Sequence, residues 1–277
     1  MASDKICYAS SYSQTKGGSP IATREKKVSF FNARGDRLSG ILHIPAEAGI
    51  RPSVILCHGM ESNKESEKLI SLSRSLSKRG LLALRFDFFC AGESSGQFEQ
   101  ITYSAEVEDL RAAFDLLQRY PVGKMGIIGS SMGGSVALLF ASQEKRVASL
   151  VTLAAPAHPE KITDRLLSPE EIRCWQQTGF ITYHGRRINN SFLDDLQKIN
   201  IPRAAEQISC PALFIHGDAD ATVPVEDAYE LYARVSSPKR ICILEGADHR
   251  FSNPKDVGRV LSESLDWMIQ HLCDRPT

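Results

Sequence analysis

Short apolar runs alternate along this chain with segments whose apolar residues recur every three or four positions. "SVILC", "LLALRF", "KMGIIG", "ASLVTLA", "PALFIHG" and "RICILE" are β-branched or leucine-rich and of strand length. Between them, Leu69, Leu72 and Leu76 mark a helix closing at Gly80, and Val107, Leu110, Phe114 and Leu117 mark another ending before Pro121. A third helix follows Ser131, and Val257, Val260, Leu261, Leu265 and Met268 mark a last, amphipathic one. Ahead of this series, "KKVSFFN" and "LSGILHI" flank "ARGDR", whose Gly-Asp pair predicts a hairpin of two antiparallel strands. Buried apolar strands alternating with helices predict an α/β fold, with a mostly parallel sheet covered on both faces.

The rhythm fails once. Between Ala155 and Pro211 about fifty residues, including Pro156, Pro159, Pro169, Trp175, Phe180, Tyr183 and His184, exceed an ordinary αβ connection and read as an insertion. The expected organisation is a polar, mobile lead over 1–26, a core over 27–155 and 203–277, and an insertion over 156–202.

Composition narrows the partners. Lys+Arg and Asp+Glu both number 33, so no charge footprint favours nucleic acid or an acidic membrane surface, and small or neutral ligands fit better. Seven scattered cysteines with no C-x-x-C pair (Cys7, Cys57, Cys90, Cys174, Cys210, Cys242 and Cys273) outline neither a disulfide framework nor a zinc site. The first twenty residues lack the apolar core of a secretory signal, and no run is long enough to span a bilayer. The expectation is a cytoplasmic protein with no integral membrane segment, with a homodimer left open and an organellar address in the Ser-rich lead as the alternative.

The chemistry centres on "GSSMGG". A strand turning sharply into a helix while holding one side chain up needs small residues two before and two after it, and Gly129 and Gly133 provide them around Ser131. Ser130, with Ile128 and Met132 in those places, fails the same test. A tight strand–helix connection without chemistry would use similar residues, so the partners decide. A serine hydroxyl needs a base held in one tautomer by an acid. Asp218 and Asp220 follow the strand "PALFIHG", and His249 follows the next strand, all at carboxyl strand ends where ligands collect in open α/β sheets. Donors for an oxyanion would be the backbone N–H of Met132 and that of Met60 in "CHGMESNKE"; His58 there reads as structural.

Together "HGMESNK", "RFDFFCAGES", "GSSMGG", "HGDADATVP" and "GADH" resemble the α/β-hydrolase superfamily from about Val28 onward. The branch they are most similar to holds cinnamoyl/feruloyl-type esterases, monoacylglycerol-lipase-like enzymes and proline-type aminopeptidases. The resemblance implies an eight-stranded, mostly parallel sheet flanked by helices, with the insertion as a small cap over the active site. It implies Ser131 as nucleophile, Asp220 as acid and His249 as base, with no cofactor or metal. One position departs from the pattern: Cys90 stands where the family has a glycine. The function expected is hydrolysis of small or medium carboxylic esters, apolar or aromatic, with Phe88, Trp175, Phe180 and Tyr183 as candidate pocket residues. A peptidase or thioesterase of the same fold, with cap carboxylates Asp164, Glu170, Glu171, Asp194 and Asp195 to hold an ammonium, and a hydrolase-fold binding protein are the alternatives.

Overall fold

The computed structural model describes residues 22–46 and 49–273. Most of the polar lead, Cys7 included, lies outside them, but strand β1 (Thr23–Phe31) already begins inside the 1–26 segment. It pairs antiparallel with β2 (Arg37–Pro45) through a turn at which Gly35 takes φ +83°, a value L side chains rarely adopt.

There follow β3 (Arg51–Cys57), α1 (Glu67–Lys78), β4 (Leu82–Asp87), α2 (Tyr103–Leu117), β5 (Val122–Ser130), α3 (Met132–Gln143) and β6 (Val147–Leu153). The inserted stretch holds α4 (Pro159–Leu166), α5 (Pro169–Thr178), the pair β7 (Phe180–Tyr183) and β8 (Arg186–Asn189), and α6 (Ser191–Leu196). The chain then closes with α7 (Ile201–Glu206), β9 (Ala212–Gly217), α8 (Val225–Arg234), β10 (Lys239–Leu244) and α9 (Pro254–Leu272).

Eight strands form one sheet in the order β1-β2-β4-β3-β5-β6-β9-β10. β2 is antiparallel to both neighbours and the remaining pairs are parallel. Strand alternation divides the apolar residues between two cores. Ile55, Ile127, Leu150, Phe214 and Ile241 meet α2, α3, α7 and α8 on one face. Val54, Leu56, Ile128, Val151, Leu213 and Cys242 meet α1 and α9 on the other. α7 packs against α3 and α8, so the return to the main body starts at Ile201, just before the 203 boundary read from the sequence. No helix among the described residues is long and apolar enough to cross a membrane.

The inserted stretch is built by local rules. Ser168 and Glu171 form a capping box around Pro169 at the start of α5, and Gly179 ends it in the left-handed region. β7 and β8 pair across a two-residue turn, His184-Gly185, both at positive φ. The unit is tied down by Asp195, which accepts from the Ser104 N–H of α2 at 3.0 Å.

Candidate active site

β5 ends at Ser130 and α3 begins at Met132, which leaves Ser131 alone at the junction with φ +53° and ψ −125°. Such a backbone is costly for a residue with a Cβ and persists only where its surroundings over-determine it. The Ser131 N–H donates to the Leu153 carbonyl, while its own carbonyl accepts from Gly134 and Ser135. A Cβ at Gly129 would run into the Gly133 carbonyl, and one at Gly133 into the His58 carbonyl. The glycines are thus required by close backbone approach, and Ser130 stays in the strand.

The loops after β9 and β10 bring two further side chains to this turn. His249 Nε2 lies 3.0 Å from Ser131 Oγ, and His249 Nδ1 lies 2.7 Å from Asp220 Oδ2. A carboxylate only accepts, so Nδ1 carries the proton and Nε2 is left to accept from the serine hydroxyl. The Asp220 side chain is wholly buried, and its other oxygen takes the Thr222 and Val223 N–H groups, both at 2.8 Å. Burial alone would raise its pKa, but hydrogen bonds from His216, His249 and the Val223 N–H hold the carboxyl well below the usual range. Asp218 accepts instead from the Gly246 N–H at 2.6 Å and so fastens the loop that carries His249.

His216 was missed by sequence reasoning. Its Nε2 is 3.0 Å from the Val223 carbonyl and 3.2 Å from Asp220 Oδ2, so one N–H steadies Asp220 and its loop together. The signal was available: His216 stands four residues before Asp220 at the end of the same strand.

Gly59 approaches the serine from the loop after β3, where an added Cβ would lie 3.7 Å from Ser131 Oγ. The next residue is Met60. Among the described residues, no acceptor takes the backbone N–H of Met60 or of Met132, and both residues line a cavity of about 690 Å3 that also holds Ser131 and His249. His58 turns away from that cavity: its Nε2 accepts from the Phe88 N–H at 3.1 Å and its Nδ1 donates to the Gly59 carbonyl at 2.8 Å. Burial lowers its pKa, so it is a neutral loop fastener.

Of the four candidate pocket residues, Trp175 and Tyr183 line the cavity. Phe88 does not, because it is fully buried between the His58 and Phe86 rings in the core. Phe180 does not either; the Arg187 guanidinium lies 3.7 Å from its ring centroid. The apolar wall is instead completed by Tyr103, Ile162, Ile188 and Phe192, with Trp175 stacked on Phe192 at 6.3 Å between centroids. Neither Glu170, Glu171, Asp194 nor Asp195 lines the cavity, and the Asp164 side chain lies outside the described residues. Cys90 takes φ +73°, the left-handed conformation a glycine would hold at no cost, with its thiol buried away from the cavity. Burial pushes that thiol up to about 12.

A family model described as the alpha/beta hydrolase fold matches residues 52–171, a span that includes Ser131. The chain has the α/β-hydrolase fold. The chain is 25% identical over 233 residues to the palmitoyl-protein thioesterase ABHD10, mitochondrial, of Mus musculus, covering 81% of this chain and 77% of that protein. It is 22% identical to a monoacylglycerol lipase of Mycolicibacterium smegmatis, covering 91% of this chain and all of the relative. Among solved structures, Est1E from Butyrivibrio proteoclasticus with bound ferulic acid superposes with a TM-score of 0.78 at 21% identity, covering 87% of this chain and 98% of that one. These relatives thus bear thioesterase and lipase names.

Proposed function

We propose that this hydrolase cleaves carboxylic esters through an acyl-enzyme on Ser131. The reading rests on the chain of contacts from Ser131 Oγ to His249 Nε2 and from His249 Nδ1 to Asp220, opening into an apolar-walled cavity. Ser131 Oγ attacks the carbonyl carbon while its proton passes to Nε2. The oxyanion is received by the Met60 and Met132 N–H groups. Collapse expels the alcohol, which takes the proton from Nε2. Water, deprotonated by the same nitrogen, then releases the acid and restores the serine. The segment 156–202 acts as a cap that excludes water and shapes the pocket.

The thioester reading has a specific support in the 25% identical mouse thioesterase, and the same steps would expel a thiol. The aminopeptidase reading loses its motive, since the described cap carboxylates stand away from the cavity. Turnover of 4-nitrophenyl esters of rising acyl length, acyl thioesters and aminoacyl amides tests the choice. Esters or thioesters should be cleaved and amides left, Ser131→Ala should lower turnover roughly 10⁴-fold, and a fluorophosphonate should label Ser131 alone. Labelling at Ser130 would overturn the assignment. A cytoplasmic location belongs to the same proposal, supported by the free, buried Cys57, Cys90, Cys210 and Cys242. Imaging the full-length chain distinguishes it from the mitochondrial location named for the mouse relative.

A further inference from the structure

The cavity is not apolar throughout. Lys68, on the first turn of α1, and Arg250, the residue after His249, both line it. Lys68 is half-buried, and its Nζ lies 5.0 Å from the centroid of the Phe251 ring. Among the described residues, no carboxylate reaches Lys68 or Arg250 within ion-pair distance, whereas the buried Lys64 nearby is held by Asp87 at 2.6 Å and Glu93 at 2.9 Å. The charges acting on Lys68 are Asp248 and, in the opposite sense, Arg250. The Asp248 carboxylate is engaged by the Ser252 N–H at 2.8 Å. Two other carboxylates line the cavity. Glu61 pairs with His184 at 3.2 Å, and the exposed Glu67 makes no ion pair with Lys68 or Arg250 among the described residues.

A half-buried cation without a counter-ion costs free energy. The ring of Phe251 offsets part of that cost, but an aliphatic side chain would cover the ring with no charge to desolvate. Burial draws the Lys68 ammonium down to about 8, so it is predominantly charged near neutral pH and carries an unmet demand for an anion. The position of that demand relative to the chemistry follows from the histidine loop. His249 Nε2 is the atom that returns a proton to the departing oxygen or sulfur. Arg250 and Phe251 continue its backbone, so both cations sit beside the loop that carries His249, while Tyr103, Trp175 and Phe192 come from α2 and the inserted stretch.

We propose that Lys68, with Arg250, selects substrates whose leaving group carries an anion, a carboxylate or phosphate on the released alcohol or thiol, opposite an apolar acyl group. This rests on the acyl-enzyme reading of Ser131 and names the substrate class of that same site. The contact is made in the Michaelis complex and in the transition state alike, so it acts chiefly on KM.

The test uses matched butyrate esters of 3-hydroxybenzoate, of its neutral methyl ester and of 3-hydroxyphenyl phosphate, with the full-length protein. The wild type should prefer one or both anionic esters over the neutral one. Lys68→Met should reduce that preference about tenfold or more, mainly through KM, Lys68→Arg should retain it, and added salt should weaken it in the wild type. A preference for the phosphate ester alone assigns phosphate as the anion; a preference for both assigns the charge. The inference is overturned by a wild type indifferent to leaving-group charge, or by a Lys68→Met preference equal to the wild type's in a protein that melts cooperatively. Labelling of Ser131 by a neutral fluorophosphonate reports separately on the acyl-enzyme reading. If labelling and neutral-ester hydrolysis persist while charge preference is absent, only the present inference falls. If Ser131 is not labelled, the acyl-enzyme reading falls first.

Discussion

Two aspartates separated by one residue follow β9, and their hydrogen-bond partners differ. Asp218 takes one backbone N–H from the neighbouring loop, whereas the Asp220 side chain is buried and gathers two backbone N–H groups and two imidazoles. Asp220→Asn would keep the volume but place an amide donor or a weaker acceptor against His249 Nδ1, so the imidazole loses the tautomer that leaves Nε2 free to accept. Turnover should fall roughly 10³- to 10⁴-fold in a protein that still folds. Asp218→Asn loosens a loop tie at the surface and should cost less than about tenfold. Steady-state kinetics beside thermal melts of both variants decide it: equal losses, or a larger loss at Asp218, would reverse the roles.

At the scale of elements, the strand–helix junction and the inserted stretch contribute differently. The junction is rigid because β5, α3 and the loop after β3 approach within backbone contact at Gly129, Gly133 and Gly59. The inserted stretch meets the cavity through side chains, chiefly Trp175, Tyr183 and Ile188, and ties to the loop after β3 through His184 and Glu61. Removing the Trp175 ring enlarges the cavity without touching the junction. Trp175→Ala should therefore change the ranking of esters by acyl length, mainly through KM, while labelling of Ser131 by a small fluorophosphonate stays within about tenfold of wild type. Phe180→Ala, which does not line the cavity, serves as the control within the same unit. An unchanged ranking in Trp175→Ala, or equal shifts in both variants, would remove the inserted stretch from substrate selection.

For the whole molecule, one contribution to acid stability lies away from the candidate active site, where α1 covers β2 and β4. His43 is buried, and its Nε2 accepts from Arg85 Nε and lies 3.0 Å from Ser73 Oγ. Burial lowers its pKa to about 4; Glu25 opposes this, and the Arg85 guanidinium adds to it. The unfolded chain therefore binds a proton that the folded chain refuses between about pH 6.5 and about pH 4. Stability from this group is complete above pH 6.5 and is lost as pH falls through that window, by roughly 2 kcal/mol once solvent screening is allowed for. His43→Gln keeps an acceptor for Arg85 but does not titrate. Urea unfolding at pH 7.5 and pH 4.5 should show a smaller acid loss in His43→Gln than in wild type, and parallel losses would refute the assignment.

Much of this protein was legible in one dimension. Apolar runs of strand length alternating with helical spacing specified a covered parallel sheet, because period and burial follow directly from backbone geometry. Gly129-Ser130-Ser131-Met132-Gly133 and the strand-end positions of Asp220 and His249 pointed to one face, because such sheets carry their loops there. Tertiary structure alone decided what depends on distances between segments far apart in sequence. It put Phe88 in the core and Phe180 under Arg187, since an aromatic residue near a strand end or in an insertion packs by neighbours that the sequence does not order. It joined His216 to Asp220, and among the described residues it left Lys68 with no carboxylate at ion-pair distance. In the sequence Lys68 is one polar residue on an amphipathic helix; its counter-ions, or their absence, are fixed only when α1 docks beside the loop that carries His249.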